Sequence, residues 1–243
     1  MQSERQRVLV TGTSSGIGLA IAQYLLAANW KVIGFDIAPA AITHPDFEAV
    51  RVDLTDAQIT EGAAGLLGQV DALVHCAGVL RVAELGALEV ADLDLMWRLH
   101  VASLTRLANV LAPRMARRGR GRIVLIGSRV AQGLAGRSQY AATKAALIAL
   151  ARSWAAEMIA DGVTVNVISP AATETAMLAD PARQAAPPKL PPLGRLIRPE
   201  EIASLAAYLL SPAADAITGQ DIQSADQFSV DIIHTDIIRL ADG

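Results

Sequence analysis

The sequence predicts an α/β fold: a mainly parallel sheet of about seven strands, in one domain, doubly wound with helices on both faces. Three observations carry this reading. Short apolar runs alternate with helical segments along all 243 residues, the pattern of repeated strand–helix–strand units. Several of the runs are apolar at consecutive positions, as strands buried on both faces must be. Hydrophobic residues make up 52% of the chain against 19% charged and 4% aromatic, so a large core is built mainly from Ala, Val, Leu and Ile.

The elements follow in order. Arg7–Thr11 is a short apolar run that ends in turn residues, a buried strand, and Ile17–Ala28 has helical spacing. Lys31–Asp36 is a second strand and Ala49–Asp53 a third. Val70–Cys76 and Gly121–Ile126 are the fourth and fifth, and helical segments at 56–68 and 88–117 separate these last three. Ser138–Asp161 is an Ala-rich helix and Val163–Ile168 a sixth strand. Pro199–Leu210 opens with Pro and two Glu residues, a favourable helix N-terminus. A final short strand falls at Asp221–Gln223. Between Ala176 and Pro199 five prolines (181, 187, 188, 191 and 192) forbid a continuous helix. A loop of this length in a compact domain reads as a lid over a binding site, here 176–198.

Net charge is −3, which gives no footprint for nucleic acid. The arginines at 114, 117, 118, 120 and 122 read as a helix C-terminus and turn, where cations complement the helix dipole. The single cysteine, Cys76, excludes an internal disulfide and fits a reducing compartment. Met1–Arg7 leads straight into a strand, and no apolar run is long enough to span a bilayer. A cytoplasmic protein is expected.

Thr11-Gly12-Thr13-Ser14-Ser15-Gly16-Ile17-Gly18 lies between the first strand and the first helix. Glycines there let the backbone approach a pyrophosphate, and the helix N-terminus offers N–H donors and a positive dipole end. Asp36 ends the second strand, eighteen residues past Gly18. A carboxylate at that point accepts hydrogen bonds from ribose hydroxyls and repels a 2′-phosphate. No Arg or Lys lies nearby to compensate, so NAD is favoured over NADP. Asp53 ends the third strand and is a weaker candidate for holding the adenine amine.

Tyr140 and Lys144 are four apart on a predicted helix and share one face. A phenol is a poor base at neutral pH, and a nearby ammonium favours its phenolate. Ser128 lies just beyond the fifth strand and is placed to steady a substrate oxygen. The three together suit proton transfer at oxygen while hydride moves at carbon.

These residues resemble the short-chain dehydrogenase/reductase family, over about 7–223. The glycine turn is similar to the family's cofactor motif. Ser128, Tyr140 and Lys144 fall where its catalytic residues fall, and Asn166–Thr175 resembles its motif after the sixth strand. The resemblance implies a Rossmann-type fold and a general acid/base role for Tyr140. It also gives Lys144 to the nicotinamide ribose and Thr175 to the carboxamide. It extends the expected cofactor contacts to Gly12, Ser15, Gly16, Ile17, Gly18, Leu54, Cys76, Ala77, Gly78, Pro170 and Thr173, with no metal. Assembly as a tetramer or dimer, through helices at about 91–117 and 138–161, is implied as well.

Four departures stand out. Cys76 replaces the Asn of the family's Asn-Ala-Gly, His100 stands in place of its fourth catalytic Asn, and Ala171 replaces a Gly. His100 reads either as part of an altered proton relay or as a hydrogen-bonded structural residue. Residues 224–243 do not follow the family's usual ending.

The leading expectation is therefore an NAD-dependent oxidoreductase acting on a secondary alcohol or ketone. One alternative is an NAD-binding protein of the same fold with little turnover. Another is a reductase of carrier-bound 3-oxoacyl groups, with Arg129 and Arg137 greeting an acidic carrier. A modest, largely uncharged substrate is expected from a pocket lined by Leu80, Val82, Val130, Leu134, Met177 and Leu178. Arg81, Arg129 or Arg137 would partner a charged one.

Overall fold

The computed structural model describes residues 5–178 and 190–224. Seven parallel strands form one sheet in the order β3-β2-β1-β4-β5-β6-β7. They are β1 (Arg7–Thr11), β2 (Lys31–Asp36), β3 (Phe47–Arg51), β4 (Ala72–His75), β5 (Gly121–Ile126), β6 (Val163–Pro170) and β7 (Asp221–Ser224). The helices are α1 (Gly16–Ala27), α2 (Ala57–Leu66), α3 (Val90–Trp97), α4 (Ser103–Ala116), α5 (Ser138–Met158) and α6 (Pro199–Leu210). A doubly wound α/β architecture is what the alternation of elements predicts.

Strand alternation divides the core in two. On one face Val8, Val10 and Val74 pack with Ile21, Leu25, Ile202 and Leu209 of α1 and α6. On the other, Leu9, Ile33, Leu73 and Ile123 pack with Leu104, Leu107 and Leu147 of α4 and α5. Successive strand residues point to opposite faces, so runs such as Val8-Leu9-Val10 must be apolar throughout. Chain direction across the sheet reverses between β1 and β4, which opens a crevice at their carboxyl ends.

Several boundaries differ from expectation. β3 runs over 47–51 instead of 49–53 because it is a half-exposed edge strand. Val52 belongs to the core but already lies beyond the strand, its N–H donating to the Asp36 carbonyl at 2.8 Å. β4 is shorter than 70–76, and β6 continues to Pro170. The helix expected over 88–117 is broken by a π-helical turn at Arg98–Ala102 between α3 and α4. Such turns add one residue per turn and recur at functional sites.

The arginine run does cap carbonyls. Arg114 donates to the Leu67 carbonyl at 2.9 Å and to that of Gly65 at 3.2 Å, just past and within the last turn of α2. Of the expected lid, Ala176–Leu178 forms a short 3-10 turn and residues 179–189 lie outside the described residues. Its two flanks are tied together: Glu174 N–H donates to the Ile197 carbonyl at 2.8 Å and Ile197 N–H to that of Ala172 at 3.0 Å. Apart from Ser224, which ends β7, the atypical terminal segment also lies outside the described residues.

Asn166 fastens the end of the sheet. Buried in β6, its amide N–H donates to the Ile217 carbonyl at 2.7 Å and its side-chain oxygen accepts from Gln220 N–H at 3.1 Å. Asn166→Ala strands both backbone groups and is expected to lower the unfolding free energy by about 2–3 kcal/mol in a urea titration.

Candidate active site

Two backbone turns meet at the crevice. Thr11 ends β1, and its hydroxyl oxygen accepts the N–H groups of both Cys76 and Ala77 at 3.0 Å, locking the turn after β4 to the turn after β1. Gly12 (φ +77°) follows, and a Cβ there would meet the Ala77 Cα at 3.0 Å. A Cβ on Gly18 would lie 2.1 Å from the Gly12 carbonyl oxygen. The first turn of α1 therefore sits directly on the glycine turn with no room for a side chain. Ser15, its N-cap, makes no side-chain capping bond, and no acidic residue lies in that first turn. The N–H groups there face a cavity with a dipole end that favours an anion.

The cavity holds about 800 Å³, and every residue expected to contact a dinucleotide lines it. At one end, Asp36 accepts Ser14 N–H at 2.8 Å on one carboxylate oxygen and Ala38 N–H at 2.9 Å on the other. A carboxylate has about four acceptor sites, so lone pairs remain for a diol. Asp53 accepts the Thr55 N–H and hydroxyl, at 2.9 and 2.7 Å, on one oxygen. Leu54, with Phe35, Ile37 and Val52, supplies an apolar wall suited to a flat base. Thr175 lies close above Gly16, whose Cβ would meet its methyl at 3.2 Å. A glycine cradle, a helix terminus without a side-chain cap and an acidic strand end together fit a dinucleotide.

At the other end are Ser128, Tyr140 and Lys144. Ser128 caps the short 3-10 turn Arg129–Gln132, accepting Val130 N–H at 3.2 Å, which leaves its proton free to be donated. Tyr140 and Lys144 sit one turn apart on α5, with Lys144 Nζ 5.7 Å from the Tyr140 ring centroid. Lys144 is only 4% exposed and donates to the Ile126 carbonyl, at the end of β5, at 2.9 Å. Burial lowers its pKa to about 8. The spacing of the three residues is thus met in space.

The protein-family model described as "Enoyl-(Acyl carrier protein) reductase" matches residues 12–225. The chain is 36% identical over 236 residues to the 3-oxoacyl-[acyl-carrier-protein] reductase of Salmonella typhimurium, covering 91% of this chain and 96% of that one. It is 35% identical over 245 residues to the reductase of the same description from Vibrio cholerae serotype O1, with the same coverage. A solved short chain dehydrogenase/reductase family protein superposes with a TM-score of 0.83 at 36% identity, covering 92% of this chain and 97% of that one. The chain belongs to the short-chain dehydrogenase/reductase family. Membership makes it an oxidoreductase of the type that uses a nicotinamide cofactor.

Around this family site the departures have clear surroundings. Cys76 is half-buried, and burial pushes its thiol up to about 12, so it stays protonated. Among the described residues Asn29 alone has a positive φ without being glycine, so Ala171 occupies ordinary backbone territory. His100 does not line the cavity. It is fully buried behind it, and both ring nitrogens are taken, by Val79 N–H at 3.0 Å and the Thr143 hydroxyl at 2.9 Å. No nitrogen is left over to bridge to Lys144 through water. His75, a residue the sequence reading passed over, is also buried beside them, and burial lowers its pKa to about 3.

The substrate half is more apolar than expected. Leu95 and Leu99, four apart on α3 and the π-helical turn, join Val79, Leu80, Val130 and Leu134 on the wall, with Met177 from the lid flank. Val82 and Leu178 do not reach it. Arg129 and Arg137 do, whereas Arg81 pairs instead with Asp92 at 3.4 Å. Among the described residues no helix is long and apolar enough to cross a membrane, and no group of acidic, His or Cys residues could hold a metal ion.

Gly18→Ala is expected to drive a methyl group into the Gly12 backbone, where no flexible side chain can yield. Fluorescence titration should show NADH affinity reduced at least about tenfold, with a lowered melting temperature.

Proposed function

We propose that this chain exchanges a hydride between NAD(H) and the carbonyl or secondary alcohol carbon of a small substrate, and that the substrate carbonyl is the 3-oxo group of an acyl thioester. The observation that carries the reaction is the convergence of Ser128, Tyr140 and Lys144 on one wall of a cavity whose other end has a glycine turn and an acidic strand end. The 3-oxoacyl group is favoured by the curated relatives and by the apolar wall of Val79, Leu80, Leu95, Leu99 and Leu134. Arg129 on the same wall suits the anionic group of a carrier-bound or free acid. NAD is preferred because Asp36 faces the ribose end and repels a 2′-phosphate.

When bound, the nicotinamide supplies the hydride for reduction, or accepts it in the reverse direction. The Ser128 hydroxyl donates a hydrogen bond to the substrate oxygen. Tyr140 gives its phenolic proton to that oxygen as charge develops there, which leaves a phenolate. The Lys144 ammonium, 5.7 Å from the ring centroid, stabilises that negative charge and is placed to hold a ribose hydroxyl. The return of a proton from water completes the cycle: ketone, NADH and a proton give alcohol and NAD. Small and apolar residues make up most of the wall around the transfer.

Purified protein mixed with NADH and acetoacetyl-coenzyme A should consume NADH. NADPH should be used at least about tenfold less efficiently. Tyr140→Phe should lower kcat by about 10²–10⁴-fold while leaving NADH affinity within about threefold. Turnover of simple secondary alcohols but not of acetoacetyl-coenzyme A would restrict the proposal to free alcohols and ketones. NADH binding with no turnover of either, unchanged in Tyr140→Phe, would support a dinucleotide-binding protein without catalysis.

A further inference from the structure

His100 lies in the π-helical turn and touches two parts of the site at once. Its Nε2 accepts the Val79 N–H at 3.0 Å. A ring nitrogen that accepts carries no proton, so the proton of the neutral ring is on Nδ1. Nδ1 then donates to the Thr143 hydroxyl at 2.9 Å, and that hydroxyl donates onward to the Tyr140 carbonyl at 2.9 Å. Each donor in the series Val79, His100, Thr143, Tyr140 meets an acceptor, so the direction of every bond is fixed. The ring also stands edge-on to the Tyr140 ring, with centroids 5.7 Å apart and planes at 88°.

The contact is tight on the Val79 side. A Cβ on Gly78 would come within 3.0 Å of His100 Nε2. Val79 and Leu80 then pack with Met96, Val130, Tyr140 and Ala141 in a small cluster of their own, separate from the two sheet cores. Burial, with Lys144 and His75 nearby, keeps the imidazole neutral by lowering its pKa well below the ordinary value. A neutral ring with both nitrogens engaged by protein groups holds position and does not carry protons.

Resting on the hydride-transfer reading, we infer that His100 is a positioning residue with two separable arms. Its Nδ1 arm, through Thr143, sets the turn of α5 that presents Tyr140. Its Nε2 arm sets residues 78–80, which wall the compartment where nicotinamide and substrate meet. The first arm governs chemistry and the second governs substrate fit.

Side-chain amides separate the arms. His100→Asn places an amide N–H near the position of Nδ1, and His100→Gln places an amide oxygen near that of Nε2. With NADH and acetoacetyl-coenzyme A, His100→Asn should keep kcat within about threefold and raise KM about tenfold. His100→Gln should do the opposite, lowering kcat about tenfold at a KM within about threefold. Parameters unchanged in both variants, or lost in equal proportion in both, would overturn the inference.

A second measurement does not need turnover. The protein has four histidines, so the ¹⁵N resonances of His100 are assignable by their loss in His100→Asn. In the cofactor-free protein they should report protonated Nδ1 and bare Nε2 from about pH 5 to 9. A protonated Nε2, or titration near the ordinary histidine value, would refute the two-armed role. Absence of turnover in the wild-type protein would sink the proposed function alone and leave His100 to be decided by these spectra.

Discussion

Lys144 carries its amino group into a wall where the Ile126 carbonyl is its hydrogen-bond acceptor and no carboxylate among the described residues pairs with it. Burying an unpaired ammonium costs several kcal/mol, and the lowering of its pKa to about 8 expresses that cost. Its close neighbours offer little relief. His75 and His100 are held neutral, and the Cys76 thiol stays protonated. Such a cation favours any negative charge that forms within reach. Tyr140, one helical turn away and opening onto the same cavity, is where the proposed reaction forms one.

The rest of the fold holds that group in place. β5 ends at Ile126, whose carbonyl receives the ammonium, and α5 packs back on β5 and β6 through Leu147, Ala151 and Ala155. On the other side of the crevice Thr11 ties the turns after β1 and β4 together, and Gly12 and Gly18 bring α1 down onto them. Thr11 also explains the buried state of His75. Its oxygen already accepts two N–H groups, so its own proton goes to His75 Nδ1 at 3.1 Å and the ring proton is left on Nε2. Two buried histidines thus take opposite tautomers, His75 fixed by Thr11 and His100 by the Val79 N–H.

What could be read in the sequence is what local pattern determines. Continuous apolar runs gave β1, β2 and β5 their observed ends, because Val8–Val10, Val32–Phe35 and Ile123–Ile126 are buried on both faces and run apolar up to the turn. The glycine turn was legible because only glycine fits where a backbone oxygen lies 2.1 Å from the Cβ position of residue 18. Tyr140 and Lys144 were legible because helical spacing alone puts them on one face. β3 was misplaced by two residues because an exposed edge strand has no two-sided burial to mark it, and Val52 looks apolar for a core reason outside the strand. The π-helical turn left no trace in composition, and with it the positions of Leu99 and His100 were hidden. His75 was missed because a lone histidine at a strand end reads as nothing until its threonine partner, 64 residues away, is beside it.

The lysine itself is the most direct place to test this account. The chain has three lysines, so ¹³C NMR of protein labelled at lysine Cε, followed against pH without cofactor, resolves each one. One resonance, absent in Lys144→Met, should titrate near pH 8. Three resonances that all titrate above about pH 10 would mean a solvated ammonium, and the buried charge on which the site is built would not exist.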